Sequence, residues 1–579
     1  MNDLLRDLRY AFRTFAKNPA FTLVVVLTLA LGIGANAAIF SLMDQVLLRP
    51  LPVAEPDRLV VLDAPGPFSG STHSNSATLT PLSHPMFEAL RDGNAVFEGV
   101  LAHAAVTVHL TVEGETEEVS ADLVSGTFFQ VLGLASAAGR LFTTADDRTP
   151  GAHPLVVLGH GFWSRRFAAD SRVVGSTLVV NGHPMTVVGV APRGFHGVEV
   201  GESIDVYLPL VMQAQALPTW THGIGDWRTR WLTAMARLKP GVSLPQAAAG
   251  VNVLYRQLLE EDFQHTEGKS ERFKQSFLGK QLALQPGGRG TSGLRDQSKT
   301  PLIVLMAMVG LVLLIACANV ANLLLARSSS RQREIAVRLA LGASRTRLVR
   351  QLLAESVALS LLGGALAILV ASWCAGALVR ALPYEAASRV LSAEPDLRLA
   401  LVAFGLALLT GLAFGIVPAL QSTRAELAPV LKSEAGSLLG ASTGFRLRKG
   451  LVVAQVALSL LLLIGCGLFT RSLMNLRSLD PGFEPERLLA FSVNPSLNAY
   501  DSARRIALLE RIRDELAAEP GVQSASVAQV ALMTNSNWTG TVLVDGYEPK
   551  EDENMNPNVN GVGLDFFETL GITLLAGRA

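Results

Sequence analysis

One charged stretch, Arg331-Gln-Arg-Glu-Ile-Ala-Val-Arg-Leu-Ala-Leu-Gly-Ala-Ser344, carries residue types suited to recognising another protein rather than to making or breaking bonds. Glu334 and Arg338 stand four apart in the order that favours a helical ion pair, while Ile335, Leu339, Ala336 and Ala340 fill the adjoining faces. Gly342 can supply a left-handed C-terminal cap, and Ser344 can cap a second helix beginning Arg345-Thr-Arg-Leu. The pattern predicts a helix, a tight turn and a new helix. Composition alone is equally satisfied by a solvated loop.

Bond-making chemistry finds less support. All ten histidines fall between residues 49 and 299, but no H-E-x-x-H or H-x-E-x-H spacing accompanies them, and scattered histidines are usually solvated in loops. There is no G-x-S-x-G, and no G-x-x-x-x-G-K-[ST] loop to cradle phosphates. No residue is therefore assigned as catalytic, as a metal ligand or as a cofactor ligand.

The elements that position the charged stretch are apolar blocks. Over 579 residues the chain is 49% hydrophobic and 17% charged, with zero net charge. Its mean hydropathy of +0.35 comes from five stretches without any charge: Asn18–Met43, Thr300–Ala326, Ser356–Val379, Leu399–Thr423 and Gly450–Thr470. A bilayer-spanning helix needs about 20 such residues, so each stretch predicts a span. Cys317, Cys374 and Cys466 all lie inside them, as small apolar packing residues. Ala35-Asn36-Ala37 resembles a signal-peptide cleavage site, but the apolar run continues past it to Leu42. Before that run, Leu4, Leu5, Leu8, Phe12 and Phe15 alternate at helical spacing with Arg6, Arg9, Arg13 and Lys17, as in a helix lying in the membrane interface.

Charge sets the expected orientation. The N-terminal segment is basic, the connection from Arg327 to Arg350 holds seven arginines against Glu334, and residues 424–449 are again basic. The positive-inside rule then predicts a cytoplasmic N-terminus. Residues 49–299 form an outside domain, and residues 380–398 a short outside loop. Within 49–299, Leu59–Leu62, Val106–Val112, Pro154–Leu158 and Trp231–Leu238 read as strands. Asn181-Gly182 reads as a hairpin turn, and Ser243 as the cap of a helix running to about Glu261. That is an α+β domain, expected as two lobes: residues 49–141 with 231–299, and the strand-rich middle.

The halves also repeat. Glu55-Pro-Asp-Arg-Leu59 is echoed by Glu484-Pro-Glu-Arg-Leu488, and Phe128-Phe-Gln-Val-Leu-Gly133 by Phe566-Phe-Glu-Thr-Leu-Gly571. The second copy ends where the first has reached Arg140, so residues 471–579 read as an incomplete second outside domain of a longer chain.

The R-x-x-E-I-A-V-R-x-A-L-G-A-S pattern resembles the coupling helix of MacB/FtsX-type ABC transporter permeases. The duplicated layout, with Asp7-Leu-Arg-Tyr-Ala-Phe-Arg and Leu29-Ala-Leu-Gly-Ile-Gly-Ala-Asn36, resembles their acidobacterial-type duplicated orphan branch. The resemblance implies a multi-pass α-helical membrane protein with large α+β extracytoplasmic domains of the MacB-like periplasmic core kind. It implies contact with an ABC ATPase, supplied in trans, through Arg333, Glu334, Ala336, Arg338, Ala340, Gly342 and Ala343. ATP and Mg would be bound by that ATPase, and the remaining partners would be membrane lipid and a periplasmic adaptor or outer-membrane channel. Nucleic acid is not an expected partner. The function implied is efflux driven by motion of the outside domains; the alternative is an FtsX-like signalling module that moves no substrate. Reporter fusions at Gly151 and Ala343 are expected to report opposite sides of the membrane; the same side for both contradicts the topology.

Overall fold

The computed structural model divides the chain into two compact units: Met1–Leu48 with Gln297–Leu479, and Arg49–Asp296 with Asp480–Ala579. The structure describes residues 2–74, 79–218, 220, 223–265, 271–330, 337, 341, 344–381, 394, 396–423, 442–493, 495, 500, 502–530, 532, 537–540, 542, 544, 547, 555 and 557–576. Described helices of eight residues or more are numbered α1 (Asn2–Lys17), α2 (Pro19–Met43), α3 (His84–Gly93), α4 (Leu244–Gln264), α5 (Glu271–Leu278), α6 (Gly293–Ser330), α7 (Arg345–Ala381), α8 (Leu397–Thr423), α9 (Ser442–Arg477) and α10 (Ser502–Ala517).

The first unit is helical. Five of its helices are long and apolar enough to cross a membrane: Pro19–Leu48, Gly293–Arg327, Arg345–Arg380, Leu397–Ile416 and Lys449–Arg477. In lipid no water is available to satisfy backbone N–H and C=O groups, so helices that satisfy their own are the form such segments take. The amphipathic α1 precedes them. It buries Ala11 and Phe15 while Arg9, Arg13 and Lys17 stay exposed, and the chain then turns at Asn18 into α2, which carries Pro19 at its first position.

The second unit is built on a mixed sheet. Its strands are β1 (Leu59–Asp63), β2 (Ser71–Ser74), β3 (Phe97–Val112), β4 (Glu115–Val124), β5 (Ala138–Gly139), β6 (Leu155–Leu158), β7 (Thr177–Val180), β8 (His183–Val190), β9 (Val206–Pro209), β10 (Thr229–Arg230), β11 (Thr233–Leu238), β12 (Ala283–Pro286) and β13 (Asn537–Gly540). Ten of them join in the order β12-β1-β11-β3-β4-β9-β6-β8-β5, with β7 bridging β3 and β8. Alternation along β1 explains why its whole length is buried. Val60 and Leu62 enter one core with Met86, Phe87 and Leu90 of α3 and Val251 and Leu258 of α4. Leu59 and Val61 enter the other, with Phe128, Phe129, Tyr207 and Met235.

The two expected lobes are one sheet. β4 pairs in parallel with β9, and β5, assigned to the first lobe, pairs with β8 of the middle. The long β3–β4 hairpin turns at Glu113-Gly114, both in the left-handed region (φ 53° and 87°), a two-residue turn without the usual asparagine. Asn181 (φ 48°) and Gly182 make the β7–β8 turn as the sequence indicates. Gln246 accepts the Ser243 N–H at the start of α4.

The histidines are not all loop residues. His84 is buried on α3, where loss of solvation pushes its imidazolium pKa down to about 4. His103 is buried on β3, 3.2 Å from Asp122, and although burial opposes it, that carboxylate and Glu199 raise its pKa overall. Helix packing brought His84 inside and strand alternation His103, and each interior site then supplied its own electrostatics.

The repeat is structural as well. Leu134 N–H meets Phe129 C=O, as Ile572 N–H meets Phe567 C=O, and Gly133 N–H meets Gln130 C=O, as Gly571 N–H meets Glu568 C=O. Gly133 and Gly571 share φ 68°. A Cβ at Gly133 would lie 2.6 Å from Ala54 Cβ, whereas at Gly571 the nearest atoms belong to the flexible Glu484 side chain at 3.0 Å. Gly133→Val is therefore expected to destabilise by about 2–4 kcal/mol through backbone strain plus overpacking, and Gly571→Val by about 1–2 kcal/mol through strain alone. Thermal unfolding of the full chain measures both, and equal losses would contradict the assignment.

Candidate functional site in the helical bundle

The side chains that set how the bundle holds together are small. Residues without bulk let helices approach closely, and in lipid this packing, rather than water exclusion, drives association. Gly32 of α2 faces Leu313 and Ala316 of α6; a Cβ there would meet them at 3.1 and 3.3 Å. Gly34, on the same helix, faces Val370 of α7 at 2.8 Å. Gly363 is set against Leu29 of α2, and Gly364 against Ala407 of α8, at 2.8 and 2.7 Å. Gly411 and Gly415 of α8 admit Ser360 and Ser356 of α7. α2, α6, α7 and α8 thus share glycine seams, and each seam fixes one helix against another at the backbone.

Polar groups are few and each has a structural task. Asn36 of α2 donates across the bundle to Val309 C=O of α6 at 2.8 Å, and to Gly32 C=O of its own helix. Ser360 Oγ donates to Ala407 C=O, tying α7 to α8. Asn319 and Asn322, the pair whose spacing suggests an interhelical bond, are not the crossing: Asn322 Oδ1 has no partner among the described residues. Asn36 carried no periodic signal to single it out. Gly405, a small residue of α8 that could also serve close approach, is outside the seams: among the described residues nothing lies within 4 Å of its Cβ position.

At the end of α2 the helix widens into one π turn, Asp44–Leu48. Asp44 is buried and pairs with Arg398 at the start of α8, 3.2 Å away. π turns are rare and concentrate at functional positions, because the extra residue loosens the helical ladder. A buried carboxylate held by a half-exposed guanidinium joins the first and fourth spans at that loosened turn.

The sequence-predicted contact residues, Arg333, Glu334, Ala336, Arg338, Ala340, Gly342 and Ala343, lie outside the described residues. Two neighbours in the same stretch are described. Val337 is 51% exposed and Leu341 83% exposed, and Leu341 N–H donates to Val337 C=O at 3.0 Å, the i to i−4 bond of a helical turn. Ser344 C=O then accepts from Leu348 N–H as α7 begins. The reading of charges and small residues passed over these two apolar side chains, although their spacing of four was visible.

A bundle of apolar spans interrupted by a large α/β domain is the layout of a multi-pass membrane protein. Residues 22–254 match the MacB-like periplasmic core domain, and residues 306–427 the FtsX-like permease C-terminal domain. The chain belongs to the MacB/FtsX type of ABC transporter permease and is a bacterial inner-membrane protein. A probable export ATP-binding/permease protein MacB of Pseudomonas entomophila (strain L48) is 28% identical over 312 residues, covering 53% of this chain and 41% of that protein. The macrolide export ATP-binding/permease protein MacB of Escherichia coli (strain K12) is 27% identical over 338 residues, covering 58% and 46%. The chain thus spans less than half the length of these relatives. The crystal structure of the periplasmic region of MacB from Actinobacillus actinomycetemcomitans aligns with 37% of this chain and 96% of its own, at 17% identity and a TM-score of 0.27.

Gly34→Leu is expected to destabilise the bundle by about 1–3 kcal/mol, because its side chain would collide with Val370 at 2.8 Å and with the Ala367 carbonyl oxygen at 3.1 Å. Gly405→Leu should leave stability unchanged, since its side chain meets open space. Thermal unfolding of the detergent-solubilised full chain distinguishes the two; equal midpoints would mean that the seam does not hold the helices.

Proposed function

We propose that this chain is the membrane subunit of an ABC-type export system, in which a separate ATPase docks on the Arg331–Ser344 segment and moves the bundle. The bundle then transmits that motion to the extracytoplasmic domain, which expels its substrate. The N-terminus and the docking segment are cytoplasmic in this scheme, and ATP and Mg are held by the partner. What carries the reading is an apolar pair, Val337 and Leu341, left exposed on a helical turn within a strongly basic connection. Large apolar side chains presented to water beside cations suit a groove in another protein, where the apolar surface supplies affinity and the charges speed encounter.

The family membership makes an ATPase partner the expected occupant of that segment. Glycine-seamed helices suit transmission, because they can shift only as packed bodies. The buried Asp44–Arg398 pair keeps the first and fourth spans together during such a shift.

Leu341→Asp is expected to weaken ATPase association by at least tenfold, about 1.4 kcal/mol or more, by burying a carboxylate in an apolar contact. Ala336→Trp should block docking by bulk, and Arg338→Ala should weaken it in a salt-dependent way. Arg446→Ala, in the second basic connection, serves as the control. Co-purification of a genomically neighbouring ATPase with each variant is the measurement; undiminished association in both Leu341→Asp and Ala336→Trp removes the docking assignment.

A further inference from the structure

Independently of how the bundle is driven, the extracytoplasmic domain contains a cluster of buried donors that its fold does not use. Arg230 of β10 is 1% exposed and gives one N–H to Asp262 of α4 at 2.7 Å. Its Nε and Nη1 and the neighbouring Tyr255 hydroxyl of α4 make no full hydrogen bond among the described residues, hydroxyl and guanidinium interacting only weakly with each other, and the Lys280 nitrogen that follows α5 has no partner there either. Lys280 is 8% exposed and Tyr255 fully buried. Hydrogen-bonding groups taken out of water are nearly always paired, so four orphaned donor atoms from three neighbouring side chains are a requirement for an acceptor.

The charges around them are accounted for. Asp262 is engaged with Arg230, and the Asp63 carboxylate at the end of β1 accepts from Thr80 N–H at 2.9 Å and from the Gln285 amide at 3.2 Å. Lys280 is left facing the ring of Phe277, 5.2 Å from its centroid. A covering segment closes the cluster. Between β1 and β2 the chain lays Phe68 over the Arg230 guanidinium, 5.7 Å to the ring centroid, and sets Gly66 against the stem of Lys280. Gly66 lies in the left-handed region (φ 105°), and a Cβ there would come within 3.1 Å of Lys280 Cγ. Residues 65 and 66 are themselves exposed, so this cover is one short segment thick.

We propose that Arg230, Tyr255 and Lys280 form a binding site for a small oxyanion, a carboxylate or a phosphate, admitted by displacement of the Gly66–Phe68 segment. Every orphaned atom there can donate, and the Arg230 nitrogens can do nothing else, so an oxyanion satisfies the cluster and a cation beside Arg230 does not. The chemistry also couples binding to protonation. Burial and the Arg230 charge hold the free Lys280 well below the usual lysine range, against the opposing pull of Asp262 and Asp63; Asp262 in turn faces His265 and Asp226. An anion beside Lys280 raises its affinity for a proton. Binding therefore takes up a proton wherever free Lys280 is neutral, and affinity falls about tenfold per pH unit across that window.

Isothermal titration of the full chain in zwitterionic nanodiscs, with sodium phosphate and separately with sodium benzoate, tests this from about pH 6 to about pH 8 in buffers of different ionisation heat. Saturable binding of either probe with proton uptake supports the site: phosphate alone assigns an inorganic oxyanion, benzoate alone an organic acid. Lys280→Met should lose at least tenfold in affinity, together with the proton uptake, while keeping the wild-type thermal midpoint. The proton uptake is read on wild-type protein and needs no variant to fold. No saturable heat from either probe up to about 10 mM, where even a millimolar site would fill, means that these donors hold water only and overturns the proposal.

Discussion

Close approach of apolar helices at glycine is the constraint on which the membrane unit depends. Lipid offers no hydrophobic gain for helix association, so shape must supply what water supplies elsewhere. Gly32 and Gly34 stand two residues apart on α2 and receive different partners, α6 and α7, so one short segment of one helix sets two interfaces. The polar bonds of Asn36 and Ser360 follow from that approach, since a side-chain donor reaches a neighbouring carbonyl only when the helices are nearly in contact.

The duplication shows the same device without its partner. Counting back from the shared Ser-Leu-Met (41–43 and 472–474), Gly465 of α9 stands where Gly34 stands in α2, yet among the described residues nothing lies within 4 Å of a Cβ at Gly465. None of the apolar window of that span is buried. In the second unit, by contrast, the repeated Phe-Phe helix and its glycine rebuild the same backbone bonds in both copies. Hydrogen bonds that close within one short segment recur wherever the segment recurs; side-chain packing recurs only where the neighbour is also present.

Burial separates the two units chemically. The membrane helices keep their ionisable groups at the ends, as with Asp44 and Arg398, whereas the extracytoplasmic domain carries His103, Asp122, Arg230, Asp262 and Lys280 inside. A sheet with a core on each face has the room and the backbone donors to hold such groups. The cost of desolvating them is offset by pairing for His103 with Asp122 and for Arg230 with Asp262, and for Lys280 it is not.

The sequence by itself determined the spans and the repeat, because each rests on local order: uncharged length and echoed words. It also determined the Asn181-Gly182 turn and the Ser243 cap, whose bonds close within a few residues. Tertiary structure alone decided that strands of both expected lobes join one ten-stranded sheet, because the β4–β9 and β5–β8 pairings join strands far apart in the chain. It decided that Asn36 rather than Asn319 or Asn322 crosses the bundle, and that Gly34 is a seam while Gly405 is open, because helical periodicity names a face but not its neighbour. It decided, too, that Arg230, Tyr255 and Lys280 meet. They come from a strand, a helix and a loop, and burial of a charge is a property of what surrounds it, which no stretch of sequence contains.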